Sequence, residues 1–288
     1  MYKIAGLLSL ILLPAPAFAE PPQHYYDAAK GLTSSALKSA LHAIIDDHKP
    51  LPYTKSGNAD WHDGRNVDVW EALTYTDSVC PVNDPTCGLV QLLYLDESRH
   101  ISQAYRGGKG TGSNWDREHV WPKSRGFKKK SQDGYTDLHH LRPSDTNLNQ
   151  AHSNYGYDIG GVPVKDKLAD GGTVETSARV DKAGQSFEPP DRAKGQVARM
   201  LFYMAVRYEV GDDGGSEKMP DLYLKDANER TKQPWIGDLC TLVQWHHKFG
   251  VTDFERRRND RVEELQGNRN PFIDRAEWIG EIWGGLCR

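Results

Sequence analysis

The chain has 288 residues, with 36 lysines and arginines against 40 aspartates and glutamates, so its net charge is −4 at pH 7 with neutral histidines. The total charge is weakly acidic, so it does not indicate a nucleic-acid partner. Any contact with nucleic acid must depend on local clusters of basic residues. The length suits one large domain or two small ones. We find no linker rich in Pro, Gly or Ser and no internal repeat that would divide the chain.

Residues 1–19 have the features of a cleaved signal peptide. The cationic start Met1-Tyr2-Lys3 precedes the apolar run Ile4–Leu13, and Ala17-Phe18-Ala19 provides a small-residue cleavage site. The apolar run is too short to span a bilayer, and the prolines after it disfavour a buried N-terminal helix. No later segment is long and apolar enough for a membrane span. The sequence therefore predicts an exported protein, periplasmic or secreted, with no membrane association after signal cleavage.

The first half of the chain predicts one helix and two strands. Thr33 or Ser34 can cap a helix whose apolar residues share one face, and this helix must end before Pro50. An apolar run, Gly88–Leu95, is typical of a strand, and Trp115–Trp121 predicts a second strand after a Gly-rich loop. The apolar face of the helix consists of Leu37, Leu41, Ile44 and Ile45.

The second half predicts mainly helices. Pro143-Ser144-Asp145 is a helix start that would lead into residues 146–153, whereas the polar segment 160–185 predicts short strands and loops. A long helix is expected after Pro190, with Val197, Leu201, Met204 and Tyr208 on one face. Two further helices are predicted over residues 239–249 and 253–265. The expected fold class is α+β, with helices dominating after residue 190.

The cysteines are even in number, which in an exported chain favours disulfides. Cys80 and Cys87 flank a turn rich in Pro, Asn and Asp and can close a local bridge, so Cys240 and Cys287 would form the second. A zinc site is the alternative, but no CxxC pair and no Cys/His spacing supports it.

The central segment carries the chemistry. Glu118 and His119 are adjacent on the predicted strand, and Asn149 lies on the polar helix that follows. A carboxylate and an amide oxygen are hard ligands suited to Mg²⁺, and an imidazole can accept a proton near neutral pH. Neighbours on a regular strand point to opposite faces, so Glu118 and His119 would flank a substrate that passes the end of the strand.

Each of these residues taken alone is more often a solvated or structural residue, and only their joint spacing favours a functional site. His139 and His140 are accordingly interpreted as core or supporting residues. A basic cluster after the Glu118-His119 pair is a candidate for binding phosphates of nucleic acid. It consists of Lys123, Arg125, Lys128, Lys129 and Lys130.

These motifs resemble the bacterial endonuclease I family of periplasmic and extracellular nucleases, within the ββα-metal or His-Me finger group. The resemblance covers most of the chain from about residue 30, and its last segment is the most specific. The segments that carry it are 114–124 with 137–154, 187–190 with 194–199, 255–259, and 266–274. It implies a single mixed domain over residues 20–288, built around a ββα-metal core with additional helices.

The resemblance also implies roles for individual residues. His119 matches the general base of the family, while Glu118 and Asn149 match its metal ligands. Family members often carry an arginine where this chain has His152, and some place a leaving-group arginine in an insertion that is short here. Arg142 is our candidate for that cation, with Arg125 as the alternative.

Together these observations predict an exported, monomeric, sequence-non-specific endonuclease that uses Mg²⁺, or Ca²⁺ or Mn²⁺, to hydrolyse DNA and also RNA to 5′-phosphate ends. A metallopeptidase is the rival enzyme class, but the chain has no His-Glu-x-x-His segment. A secreted protein that binds nucleic acid without turnover is the rival outside enzymes.

Overall fold

The computed structural model describes residues 19–54, 67–80, 84, 86–106, 113–168, 170–211 and 218–287. The predicted signal peptide and the Gly-rich loop lie almost entirely outside these residues. The helices of the described residues are α1 (Ser34–Ile45), α2 (Val69–Thr76), α3 (Thr146–His152), α4 (Asp191–Arg207), α5 (Leu239–Lys248), α6 (Asp253–Gln266), α7 (Pro271–Asp274) and α8 (Trp278–Trp283). Within the same residues, no helix is long and apolar enough to cross a membrane.

The strands are short and form small sheets. One sheet of four strands has the order β5-β8-β7-β6, and its β6–β7 pair is an antiparallel hairpin. The other sheets have two strands each: β1 with β2, β3 with β4, and β9 with β10. The strands are β1 (Leu89–Gln91), β2 (Ser98–His100), β3 (Trp115–His119), β4 (Leu141–Asp145), β5 (Gly156–Tyr157), β6 (Val162–Lys167), β7 (Thr173–Asp181), β8 (Ser186–Glu188), β9 (Tyr223–Leu224) and β10 (Trp235–Ile236). The predicted α+β class is confirmed.

The helices follow the apolar periodicity of the sequence closely. Helix α1 buries Leu37, Leu41 and Ile45, as predicted, and α4 begins directly after Pro190. The four predicted amphipathic helices are all present, as α1, α4, α5 and α6. The apolar run from Gly88 forms only the three-residue strand β1.

Strand β4 differs from the prediction. Residues 143–145, expected to begin a helix, complete a strand in which all five residues are buried, and the helix starts one residue later. Pro143 and the charged side chains of β4 hide its strand character, because that strand buries polar groups on both faces instead of alternating. Asp145 ends the strand and caps α3 through its carboxylate, which accepts hydrogen bonds from the backbone N–H groups of Asn147 and Leu148.

The β3–β4 pair and α3 form a continuous β-β-α unit. The two strands are antiparallel and in register from Trp115 opposite Asp145 to His119 opposite Leu141. This register places Glu118 directly opposite Arg142. Arg142 of β4 reaches α4, the most buried helix, where it donates to Gln196 Oε1. Gly195 of α4 is required because a Cβ there would lie 2.4 Å from the Phe249 carbonyl oxygen.

Both predicted disulfides are confirmed: Cys80 is bonded to Cys87 and Cys240 to Cys287. The first closes a sequence separation of 7 residues and the second one of 47 residues. The long bridge ties the end of the chain to α5.

We expect the long bridge to contribute more stability. The loop-closure entropy of the unfolded chain grows with the logarithm of loop length, so the two bridges should differ by about 1.7 kcal/mol. Denaturant unfolding of the pair Cys240→Ser, Cys287→Ser against the matched pair Cys80→Ser, Cys87→Ser measures this. Equal losses for the two pairs would show that strain or residual structure, and not loop length, controls the effect.

Buried histidines should make the fold sensitive to acid. Burial lowers the pKa of His139 and of His140 from 6.5 to about 4, and each ring bonds a backbone carbonyl. Below pH 6.5 these two histidines bind protons in the unfolded chain but stay neutral in the folded chain. The free energy of unfolding should therefore fall as pH drops from 6.5 to 4, by about 1.4 kcal/mol per pH unit for each histidine.

Urea titrations between pH 7 and pH 4.5 measure this slope. His140→Asn should reduce the slope, whereas His247→Asn, which changes an exposed histidine, is the matched control and should leave it unchanged. A flat stability profile between pH 6.5 and pH 4.5 would contradict the prediction.

Candidate active site

A cleft of about 420 Å³ opens at the C-terminal end of β3 and along α3. Beyond Trp115, which bridges Ala104, the outer edge of β3 carries no further strand among the described residues. Side chains from both faces of β3, at its C-terminal end, can therefore line the same cleft. Its lining residues are Tyr53, Asp116, Arg117, Glu118, His119, Pro122, Lys123, Ser124, Asn149, Ser153, Asn154 and Arg230. The three predicted residues Glu118, His119 and Asn149 all line it.

Glu118 is held by two hydrogen bonds to one oxygen. The Tyr94 hydroxyl donates to Oε1 over 2.9 Å, and His152 Nδ1 lies 2.6 Å from the same atom. The His152 ring is itself stacked on Tyr157, whose hydroxyl bonds that of Tyr94. This buried network fixes the carboxylate, and among the described residues no partner occupies Oε2. Oε2 is thus the oxygen that remains for the cleft.

His119 has a defined tautomer. Its Nε2 lies 3.0 Å from the Tyr135 carbonyl oxygen, which can only accept, so Nε2 carries the proton and Nδ1 keeps its lone pair. Burial lowers the pKa of His119 well below its usual value, and the nearby His140 and Lys123 act in the same direction. The ring is therefore neutral near pH 7 and can accept a proton at Nδ1.

Asn149 approaches β3 from α3. Its Nδ2 donates to the Arg117 carbonyl oxygen over 3.5 Å, so Oδ1 is left to face the cleft. Arg117 lines the cleft as well, but its guanidinium is packed over the Tyr53 ring and bonds the Thr54 hydroxyl. These contacts bring an amide oxygen to the same cleft as the Glu118 carboxylate.

The predicted basic cluster divides into three groups. Lys123 lines the cleft, and its Nζ lies 3.1 Å from the Tyr135 hydroxyl. Lys128, Lys129 and Lys130 are exposed and do not line the cleft, although Lys130 Nζ lies 5.4 Å from the Tyr53 ring. Arg125 is fully buried, so the cluster is not one continuous surface.

Neither arginine that the sequence suggested as a leaving-group cation lines the cleft. Arg142 is fully buried, where it pairs with Asp77 and donates to Gln196 Oε1 over 2.8 Å. Arg125 donates to the backbone carbonyls of Asn154, Glu229 and Trp235. Both guanidinium groups bond other parts of the fold, and neither is part of the lining of the cleft.

The arginine that does line the cleft is Arg230, which the sequence analysis missed. Its Nε donates to Asn154 Oδ1 over 2.7 Å, and its Nη2 lies 3.2 Å from the Ser153 hydroxyl. Ser153 ends α3 with a positive φ of 55°, which turns it and Asn154 toward the cleft. Arg230 lies in a polar loop far along the chain, so no local motif in the sequence identifies it.

The oxygen donors of the cleft fit a hard divalent cation. The Glu118 carboxylate and the neutral Asn149 amide suit Mg²⁺, which keeps several water ligands and uses few protein ligands. The Asp116 carboxylate also lines the cleft. No group of three or more His, Cys, Asp or Glu side chains suited to a metal occurs in the described part of the chain. Glu118 and Asn149 would therefore hold such an ion together with water and substrate oxygens.

Glu118, His119 and Asn149, which the motif resemblance singled out, line one cleft beside the β3–β4 pair and α3. The sequence model of the Endonuclease I family matches residues 33–277. The chain belongs to this family.

Similar proteins support the same assignment. The chain is 42% identical over 283 residues to the extracellular ribonuclease of Bacillus subtilis (strain 168), covering 97% of this chain and 85% of that protein. It is 42% identical over 260 residues to the extracellular ribonuclease of Bacillus amyloliquefaciens, covering 90% and 78%. An extracellular deoxyribonuclease of Aeromonas hydrophila is 23% identical over 276 residues, covering 93% and 97%. The predicted periplasmic or secreted location is confirmed by these names and by a periplasmic deoxyribonuclease of the same species.

The two arginines Arg142 and Arg230 should respond oppositely to replacement by Met. Arg142→Met leaves the buried Asp77 short of a partner and should cost about 3–5 kcal/mol of stability. Arg230→Met removes an exposed cation and should cost less than about 0.5 kcal/mol, while nuclease activity falls roughly 10²-fold. Urea unfolding and nucleic-acid cleavage, each normalised to folded protein, separate the two effects. Full activity in Arg230→Met would remove it from the site.

Proposed function

We propose that the protein is an exported, metal-dependent endonuclease without sequence specificity, which hydrolyses phosphodiester bonds of DNA and RNA and leaves 5′-phosphate ends. The observation that carries this proposal is the meeting of Glu118, His119 and Asn149 at one cleft. Glu118 and Asn149 provide two hard oxygen ligands and His119 provides one neutral base, all in the lining of the same cleft.

The chemistry divides among these side chains. Nδ1 of His119 takes the proton of the attacking water, since Nε2 is occupied by the Tyr135 carbonyl. Arg230 and Lys123, the cations at the rim of the cleft, bind the phosphate oxygens and stabilise the charge of the transition state. Glu118 and Asn149 would hold a divalent cation, which would supply a Lewis acid to neutralise phosphate charge.

Water as the nucleophile makes the 2′-hydroxyl unnecessary, so both DNA and RNA are substrates. The names of the relatives include ribonucleases and deoxyribonucleases, which favours a mechanism common to both polymers. The cations of the cleft act on phosphates, which carry no sequence information. Cutting is therefore expected at many sequences, with strong dependence on salt.

A protein that binds nucleic acid without turnover is the alternative, and it predicts no cleavage at all. Plasmid nicking and RNA cleavage with Mg²⁺, with Mg²⁺ plus EDTA, and without added metal decide between the two. Cleavage by the first mixture alone supports the proposal. Cutting confined to RNA with cyclic-phosphate products would instead indicate attack by the 2′-hydroxyl.

His119→Ala should lose turnover by about 10²–10⁴-fold while it keeps affinity for metal and DNA, because the base does not bind the ion. Single-turnover cleavage measures the loss, and calorimetric titration with Mg²⁺ measures metal binding. His247→Ala is the matched control, since this histidine is exposed and lies outside the cleft. Abolished Mg²⁺ binding in His119→Ala would assign His119 as a ligand.

Glu118→Ala should shift the Mg²⁺ requirement to much higher concentration, because it removes the charged ligand. Asn149→Ala should give a weaker defect of the same kind, since an amide oxygen attracts the cation less than a carboxylate does. Activity measured across a Mg²⁺ series gives both shifts, with Glu277→Ala as an exposed-carboxylate control. An unchanged metal dependence in Glu118→Ala would make Glu118 a structural residue.

A further inference from the structure

A second groove, of about 540 Å³, continues from the catalytic cleft. It runs between the outer face of α3 and the β6–β7 hairpin, and its walls include Ser153 and Arg230, which also line the cleft. The cleft and the groove therefore adjoin at Ser153 and Arg230. The predicted nucleic-acid cluster after His119 does not line the groove, nor do Glu118, His119 and Asn149.

The groove carries an excess of positive charge. Lys165 and Lys167 are exposed on the same face of β6, because alternate residues of a strand share a face, and Lys182 follows the end of β7. Together with Arg230, these lysines are the charged residues in the lining. Glu175 lies opposite Lys165 across the hairpin, so the excess rests chiefly on the other three cations.

Two nearby aspartates do not line the groove. Asp166 is buried on the opposite face of β6, where it accepts a hydrogen bond from Asn147 and lies near Arg99. The carboxylate of Asp181 accepts hydrogen bonds from the backbone N–H groups of Ala183 and Gly184 in the turn that follows β7. Both carboxylates are thus engaged with the protein.

The groove also holds an aromatic ring beside its cations. Tyr155 lines it, half-buried, and the Arg230 guanidinium lies 5.3 Å from the ring centroid. Surfaces that combine cations along a groove with an aromatic ring are typical of binding to single-stranded nucleic acid, since unpaired bases expose their faces for stacking. A duplex keeps its base faces stacked inside and cannot offer one to a ring within a hollow.

We infer that the groove binds a single-stranded segment of the substrate next to the cleaved phosphate, with its phosphates on Lys165, Lys167 and Lys182 and a base on Tyr155. This inference rests on the proposed nuclease function and names the form of nucleic acid that the same site prefers. Arg230 lies where the two regions meet and contacts the strand as it passes from the groove into the cleft.

The test compares a groove variant, Lys165→Ser, Lys167→Ser and Lys182→Ser, with a control variant, Lys30→Ser, Lys248→Ser and Arg275→Ser. Both remove three exposed cations, and those of the control line neither the cleft nor the groove. Binding of a labelled single-stranded 12-mer of DNA and of RNA is followed by fluorescence anisotropy in EDTA, without turnover, across a salt series. Hydrolysis of bis(4-nitrophenyl) phosphate with Mg²⁺ reports the cleft alone.

The groove variant should bind the single strands about tenfold more weakly near 0.1 M salt. Its slope of log affinity against log salt should fall by about 2, since each phosphate contact to a single strand contributes about 0.7. The control variant should match the unaltered protein in both respects, and all three should hydrolyse the small diester equally. Tyr155→Ala should weaken single-strand binding without a change in the salt slope, because stacking releases no counterions.

Unchanged affinity and slope in the groove variant would overturn the inference, as would an equal loss for a duplex of the same sequence. These outcomes are independent of the proposed function, because binding is measured without cleavage. Failure of the nuclease proposal would instead appear as the absence of metal-dependent hydrolysis by the unaltered protein.

Discussion

Two buried arginines share the carboxylate of Asp77, and the position of strands β3 and β4 depends on this cluster. Arg142 of β4 and Arg258 of α6 both pair with Asp77, which follows directly after α2. Arg258 also donates to the carbonyls of Leu138 and Leu141 at the start of β4. A buried ion cluster adds little net stability over apolar packing, but loss of one member is costly, so its effect is to permit one arrangement only. Because Arg142 lies opposite Glu118 in the ladder, fixing β4 also fixes the metal-ligand candidate on β3.

Arg125 performs the corresponding task for the other wall of the cleft. Its guanidinium bonds three backbone carbonyls from separate segments, including that of Glu229, the residue before Arg230. Burial lowers its pKa to about 10, which still leaves it charged at neutral pH. Carbonyl dipoles surround the buried charge together with the Trp235 ring, whose centroid lies 5.7 Å from the guanidinium carbon. The hydrogen bonds to the carbonyls hold the loop that presents Arg230 to the cleft. Arg142 and Arg125 therefore position the residues that line the cleft.

The sequence predicted the parts of this protein whose signals are local. The apolar periodicity of the helices can be recognised within a few residues, and so can the Glu118-His119 pair followed by a polar helix. The even cysteine count favours disulfides in an exported chain. The helix α3 was predicted within one residue of its observed bounds, because Asp145 is a good N-cap. Strand β4 was not recognised, since Pro143 and Arg142 obscure a strand that is buried on both faces.

The choice among arginines could not be made from the sequence, for a reason that concerns burial. An arginine close in sequence to the Glu118-His119 pair can either join a buried structural cluster or bind substrate. Only its carboxylate or carbonyl partners in the fold show which role it has. Arg142 and Arg125 lie near the pair in sequence yet point into the fold, while Arg230 reaches the cleft through a distant loop. The placement of Arg230 depends on contacts with residues distant in the chain, including Asn154, and no local pattern encodes them.

The buried polar groups beneath the cleft contact only one of the two carboxylate oxygens of Glu118, and this has a physical reason. Tyr94 and His152 both contact Oε1, and Tyr157 stacks on His152 while its hydroxyl lies 2.9 Å from the Val120 carbonyl oxygen. A carboxylate whose oxygens were both satisfied by the protein would have no site for a cation, whereas one without partners would change its rotamer freely. Donors gathered on Oε1 hold the rotamer and leave Oε2 open to the cleft, where the proposed cation would bind, as residues behind a metal ligand do.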